Sequence, residues 1–331
     1  MALSSRSTRA VFWSDAVACY RGRDLKLKFW SLLCYGQAMK GHWSIGATGG
    51  NVSEGAPVEV AASFEAADDL LWQAAAGRLP KLGRVTLVRS GRIGPLVELT
   101  LASLALPEAY GAIAVQPPVF HQIVAALRTG AISGAGARDR AGVFPLSRID
   151  PGVDNEDRLA WEQWAKRAEN AAVAAGLGKA LVGGLMGALG ELQDNVFEHS
   201  ARPESGVIAY AASDGAFEFV VADGGRGVLA SLRENPEFAG LEDSGAALRI
   251  AASDGASRYP RSTGHGYGIG QLFRALAHDA AELRFRSGDH ALRLWGDAPS
   301  LTGQVELAQK AWLDGLTISV RCAPGAPDRR P

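Results

Sequence analysis

From residue 58 to residue 130 the chain alternates short apolar runs with longer runs of helical period, and this order restricts the fold more than any other feature. VEVAASF (58–64), RVTLVRS (84–90) and YGAIAVQ (110–116) read as strands. AADDLLWQAAAGR (66–78), PLVELTLASLAL (95–106) and VFHQIVAALRTG (119–130) read as the helices between and after them. Strands separated by helices cannot pair as tight hairpins, so this part is expected to form a small α/β layer. Ahead of it, Arg21, Arg23, Lys26 and Lys28 interleave with Leu25, Leu27, Phe29 and Trp30, the alternation of a strand with one wet face. The run Gly46 to Gly55 then reads as a loop and lacks the Lys-Ser/Thr ending of a P-loop.

Residues 131–158 lose apolar periodicity and are rich in Gly, Arg and Asp, so the domain boundary is expected there. The expected organisation is an N-terminal α/β regulatory or partner-binding domain over 1–150, a second domain over 151–325 and a disordered tail over 326–331. Residues 160–176 and 179–199 read as two consecutive helices separated at Gly176 and Gly178. Strands are expected at 206–212 and 216–222, and GLTISVRC (315–322) reads as a closing strand. Residues 171–190 carry only one charge, Lys179, but six of the twenty are Gly, and this composition does not read as a membrane span.

Charge and cysteine content narrow the partners. The 34 Lys and Arg residues nearly balance 35 Asp and Glu, so no global field draws the chain to nucleic acid or an anionic membrane. Cys19, Cys34 and Cys322 have no metal-site spacing and are odd in number, which fits a reducing cytoplasm. MALSSRSTRAVF has no apolar core of the kind a secretory signal needs.

Three segments carry chemistry. In ELQDNVFEHS, Glu191 and Asn195 lie four apart and share one helix face, with Glu198 and His199 a turn further on. An amide oxygen beside a carboxylate suits a magnesium-bound phosphate, the carboxylate accepting a proton from a water or hydroxyl. Equally, such a row is what a solvated helix face looks like. In FVVADGGRG, an apolar strand ends in Asp223 and a glycine turn, which lets an acceptor carboxylate sit where the backbone passes close to a flat ligand. Asp-Gly is also ordinary turn chemistry. In GHGYGIGQLFRAL, alternating glycines run into an amphipathic helix, whose N–H groups can surround phosphate oxygens. The polar SDGASRYPRST upstream is not a strand, which excludes a dinucleotide fingerprint and leaves a flexible glycine hinge as the other reading.

In this order the three segments resemble the N box, the D-x-G-x-G box and the second glycine box of the GHKL ATPase superfamily, and residues 167–200 are most similar to the opening of anti-sigma-factor kinase domains. The resemblance covers about 158–322. It implies a C-terminal two-layer α/β sandwich of the Bergerat type, with a mixed sheet covered on one face by helices, and it implies ATP and Mg²⁺ as cofactors. Under it Glu191 is the general base, Asn195 coordinates Mg²⁺, and Asp223 holds the adenine amine. Gly225 and Gly227 shape the purine pocket, while Gly264, Gly266, Tyr267, Gly268, Ile269 and Gly270 form the phosphate cradle. Residues 228–263 become a mobile lid, with Arg258 and Arg261 close to phosphate.

The implied function is an ATP-binding regulatory protein, an ATPase or a protein kinase acting on a protein partner; the alternative is a nucleotide-sensing module with negligible turnover. The partner is a regulator, a phosphoacceptor or a second copy of the chain. Neither His42 nor His121 carries the flanking pattern of a phospho-accepting histidine. His265 lies in the glycine segment, whereas His278 and His290 have no local partners in the sequence.

Overall fold

The computed structural model describes residues 58–79, 85–89, 92–111, 113–134, 136, 139–153, 155–253 and 268–323. The basic segment near Arg21, the Gly46–Gly55 run, His42, Cys19, Cys34 and the 326–331 tail lie outside the described residues.

Three parallel strands, β1 (Val58–Ala61), β2 (Val85–Arg89) and β3 (Ile113–Val115), form one sheet in chain order. With them come helices α1 (Phe64–Ala75), α2 (Gly94–Ala105), the single turn α3 (Pro107–Tyr110) and α4 (Pro118–Thr129). The expected alternation holds, and local chemistry sets its limits. The Ser63 side chain accepts from Ala66 N–H at 3.2 Å and starts α1. Pro95 and Pro118 occupy the first turns of α2 and α4, where a missing N–H costs nothing. Gly130, at φ +67°, ends α4 in the left-handed conformation.

A second sheet has strands β4 (Ala141–Pro145), β5 (Val207–Ser213), β6 (Ala216–Asp223), β7 (Ala280–Asp297) and β8 (Gln304–Cys322), in the order β4-β5-β6-β8-β7. Every pairing in it is antiparallel, which corrects the mixed sheet implied by the resemblance. The physical reason lies in the connections: β5–β6 and β7–β8 are each hairpin neighbours in sequence, and β8 returns beside β6 in the opposite sense. Strand β4 falls inside the 131–158 stretch that reads as a boundary. It is an edge strand, where Pro145 is tolerated at the last position, and a backbone exchange between Ser133 and Val143 covers part of its outer side. Beyond the bulges at Ser287–His290, β7 and β8 continue as a two-stranded arm that passes the end of β6.

Helices α5 (Glu156–Ala174), α6 (Lys179–His199), α7 (Gly227–Leu232), α8 (Ser244–Ala251) and α9 (Gly268–Ala275) accompany this sheet. Asn155 caps α5 by accepting from the Asp157 and Arg158 N–H groups. Gly176, at φ +98°, breaks the apolar 171–190 stretch into two helices, and among the described residues no helix is long and apolar enough to cross a membrane. The 228–253 part of the segment read as a mobile lid is instead packed, with Val228, Leu232, Ala247 and Leu248 in the core. These residues recur at helical spacing, which a composition-based reading of the segment passes over.

Alternation along the strands sends two different sets of side chains to the two faces of the five-stranded sheet. Phe144, Ile208, Tyr210, Phe217, Phe219, Val221, Leu283 and Phe285 share a core with helices α5 to α9. Within it Trp164 lies edge-on to Phe144 and Tyr210, and its indole N–H donates to the Ser133 carbonyl at 3.0 Å. Val143, Val207, Ala209, Val220 and Ala222 turn the other way and pack with α1, α2 and α4. Helices α1, α2 and α4 therefore cover the second face, on which the α/β unit of the parallel sheet packs.

That second face also carries buried charge. Arg284 on β7, 5% exposed, donates to Glu98 of α2 at 2.9 Å and to Asp68 of α1 at 2.6 Å. Lys310 reaches the other oxygen of Asp68 at 2.7 Å. On β6, the Glu218 carboxylate accepts from Ile93 N–H at 3.0 Å and Gly94 N–H at 3.3 Å, from Arg92 at 3.1 Å and from the Ser319 hydroxyl at 2.7 Å. A carboxylate at the first turn of α2 satisfies its free N–H groups and favours its dipole. Phe64 lies under both guanidinium groups, with ring centroids 5.0 Å from Arg92 and 4.5 Å from Arg284.

Candidate functional site

Helix α6 divides its side chains by angle. Leu185, Leu189, Leu192 and Val196 face the core, while Glu191 and Asn195 are half-buried on one adjoining face, with Glu198 and His199 a turn beyond. His199 Nε2 is 3.8 Å from Glu198 Oε2. Asp194, three residues from Glu191, is its neighbour on the helix surface and is exposed. Partial burial, reinforced by the neighbouring Glu191 and Glu198 carboxylates, holds its pKa above the ordinary aspartate range.

Asp223 ends β6 and belongs to the row of Phe217, Phe219 and Val221 on the helix face. It is 3% exposed, and Oδ1 accepts from Gly225 N–H at 2.8 Å. Burial pushes its carboxyl up to about 6, against the pull of the Gly225 and Leu316 N–H groups and, further off, Arg202. The turn that follows is stitched to the end of α6: Arg226 N–H donates to Ser200 O at 3.0 Å, and its guanidinium donates to His199 O at 2.8 Å and pairs with Glu234. Gly224 N–H donates to Ser205 Oγ at 3.0 Å.

Two glycines in this turn are required by geometry. A Cβ on Gly225 would overlap the Ser200 carbonyl, and Gly227 has φ +77° with Ser287 Oγ beside it. Ser287 Oγ in turn accepts from Val228 N–H at 3.1 Å and donates to Gly315 O at 2.7 Å. Sequence reasoning missed Ser200, Ser205, Ser287 and Gly315 as walls of this site. No local signal marks them, since each acts through a partner many residues away.

The direction of α9 follows from its connections. A Cβ on Gly184, near the start of α6, would come within 2.9 Å of Ala275 at the end of α9. That end leads into the start of β7, which is level with the β5–β6 turn through the pairings Ala281↔Cys322 and Phe217↔Cys322. Helix α9 therefore packs against α6 with its last turn beside Gly184. Gly268, Ile269 and Gly270 open α9 as backbone, whereas Gly264, Gly266, Tyr267, His265, Arg258 and Arg261 lie outside the described residues.

Asp223, Gly225 and Gly227 are thus joined through Arg226 to the Ser200 end of α6, the helix that carries Glu191 and Asn195. His121 is an exposed residue of α4, edge-on to Phe120, and His290 is paired with Asp289 at 3.0 Å; neither belongs to this group. His278 is exposed after the end of α9. Among the described residues there is no group of three or more His, Cys, Asp or Glu that could hold a metal ion. The donor set still fits Mg²⁺ delivered with a nucleotide, because that ion keeps phosphate and water ligands and needs few hard oxygens from the protein, such as the Asn195 amide. A buried carboxylate whose pKa is about 6 also fits an amine donor, being largely ionised at neutral pH and screened from competing water.

No protein-family model matches this chain, and no curated protein matches it.

Proposed function

We propose that the chain is an ATP-binding regulatory protein of the GHKL type that uses Mg-ATP for hydrolysis or for phosphorylating a protein partner. The observation that supports it is that Asp223 is buried at the end of β6 and the turn after it is hydrogen-bonded through Arg226 N–H to Ser200, at the end of the helix that carries Glu191 and Asn195. In this reading Asp223 accepts the exocyclic amine of adenine, and the N-terminal N–H groups of α9 face phosphate oxygens. The Asn195 amide oxygen contributes to Mg²⁺, and Glu191 takes the proton of the attacking water or hydroxyl. Bound Mg²⁺ supplies charge neutralisation on the phosphates.

The test is incubation of the full chain with γ-labelled ATP and Mg²⁺, alone and with cell lysate. Released phosphate that disappears in Glu191→Gln identifies an ATPase, label on a second protein identifies a kinase, and Mg-ATP binding with neither identifies the nucleotide sensor. Asn195→Ala is expected to weaken Mg-ATP binding at least tenfold. Absence of Mg-ATP binding by the unaltered chain, or full affinity in both Asn195→Ala and Asp223→Asn, overturns the reading.

A further inference from the structure

On the side of α6 turned toward α5, a cavity of about 310 Å³ opens between these helices and the 149–153 loop. That volume is at the small end of ligand pockets and suits one side-chain-sized group. Gln193 lines it and is only 8% exposed, yet its side-chain amide makes no hydrogen bond among the described residues. An amide without a protein partner is available to whatever enters the cavity. Phe197, one turn on from Gln193, and Trp161 of α5 supply aromatic walls. Trp161 stacks on Trp164 with its ring 19° from parallel, so its plane is fixed by the core.

Charge around the cavity is one-sided. Asp150, Glu162 and Asp194 line it against a single cation, Arg158, which is already 3.6 Å from Glu162. Asn155, also in the lining, has its carbonyl oxygen occupied as the α5 cap. Asp194 sits within a helical row of like charge with Glu191 and Glu198, an arrangement that a bound cation relieves.

We propose that this cavity is a binding site for a guanidinium group. A planar cation can lie against an aromatic wall, donate to the Gln193 carbonyl and pair with the Asp194 carboxylate, which a compact ammonium group cannot do in one plane. Gln193 lies on a different face of α6 from Glu191 and Asn195, and the site does not depend on the nucleotide reading.

Two probes separate the sources of such a group: arginine amide as a free small molecule, and the peptide Gly-Arg-Gly as a protein side chain. Calorimetric titration of the full chain is expected to give saturable one-site binding of at least one of them. Tighter binding of the peptide points to an arginine of a protein partner, and binding of arginine amide alone to a small free ligand. Gln193→Leu and Asp194→Asn, each checked for an unchanged unfolding midpoint, are expected to weaken it at least tenfold, and butylamine to bind more weakly than arginine amide. No saturable binding of either probe, or the same affinity in both variants, overturns the proposal.

Discussion

The two faces of the five-stranded sheet are held by different physics. The helix face is a bed of large apolar rings, Phe144, Trp164, Tyr210, Phe217, Phe219 and Phe285, where burial and close packing dominate. The opposite face carries small side chains, Val143, Val207, Ala209 and Ala222, and fills the remaining contact with Glu218, Arg284 and Ser319. Apolar packing is non-directional and tolerates sliding, whereas a fork from Arg284 to Glu98 and Asp68 is satisfied in one relative placement. The contrast teaches that the parallel-sheet layer is held in register by polar geometry on a surface too smooth to specify it by shape.

The largest expected effect comes from breaking that polar register. Arg284→Met leaves Glu98 buried without its cation and Asp68 with Lys310 alone, and is expected to cost about 3–5 kcal/mol in denaturant unfolding. Adding Glu98→Leu and Asp68→Leu is expected to restore most of it, since a buried ion pair contributes little net stability over apolar groups of similar volume. On the helix face Phe219→Ala is expected to cost a similar 3–5 kcal/mol through its cavity, and removing a neighbour cannot restore that loss. If the triple variant remains as unstable as Arg284→Met, the two faces do not differ in the way described.

Asp223 sharpens the comparison from the other side, as the acid in the apolar row of β6. Its folded pKa of about 6 lies above the unfolded aspartate value, so between these two values the native state binds a proton that the unfolded chain has lost. Stability therefore falls as pH rises from about 4 to about 6 and levels off above, by an amount of order 3 kcal/mol. Relative to Asp223→Asn, the unaltered chain is expected to lose stability over that window in unfolding curves taken at successive pH values. Parallel curves for the two proteins would contradict the dominance of burial over the hydrogen bonds at this carboxyl.

The smallest expected effect concerns glycines of α6 on the same side of the sheet. Gly183 and Gly187 are exposed, and a Cβ on either meets nothing within 4 Å, so Gly183→Ala and Gly187→Ala are each expected to stabilise by about 0.5–1 kcal/mol. Gly184→Ala meets Ala275 and is expected to destabilise, a sign change readable as opposite shifts of the thermal midpoint.

These contrasts explain what local pattern could and could not reveal. Helix α6 runs over the residues expected, 179–199, because its core positions repeat at helical period and Gly178 marks its start. Strands β5 and β6 were legible for the same reason, as short apolar runs around an Asp-Gly turn. Strand β4 was not, since Ala141–Pro145 is short, contains Gly and Pro, and derives its character from pairing with β5. Strand β7 escaped notice because Arg284 and Arg286 break its apolar pattern. The acids that make Arg284 buriable lie 186 and 216 residues away in sequence. At the candidate site Glu191, Asn195 and Asp223 announce themselves by type and spacing. The guanidinium cavity does not, because Gln193 and Trp161 meet only through helix packing.

Glu218 lies five residues before Asp223 on the same strand, and its carboxylate grips the first turn of α2. Paired on both edges with β5 and β8, the strand works as a fixed strut that holds the first turn of α2 and the turn at Gly224–Gly227 at a set spacing.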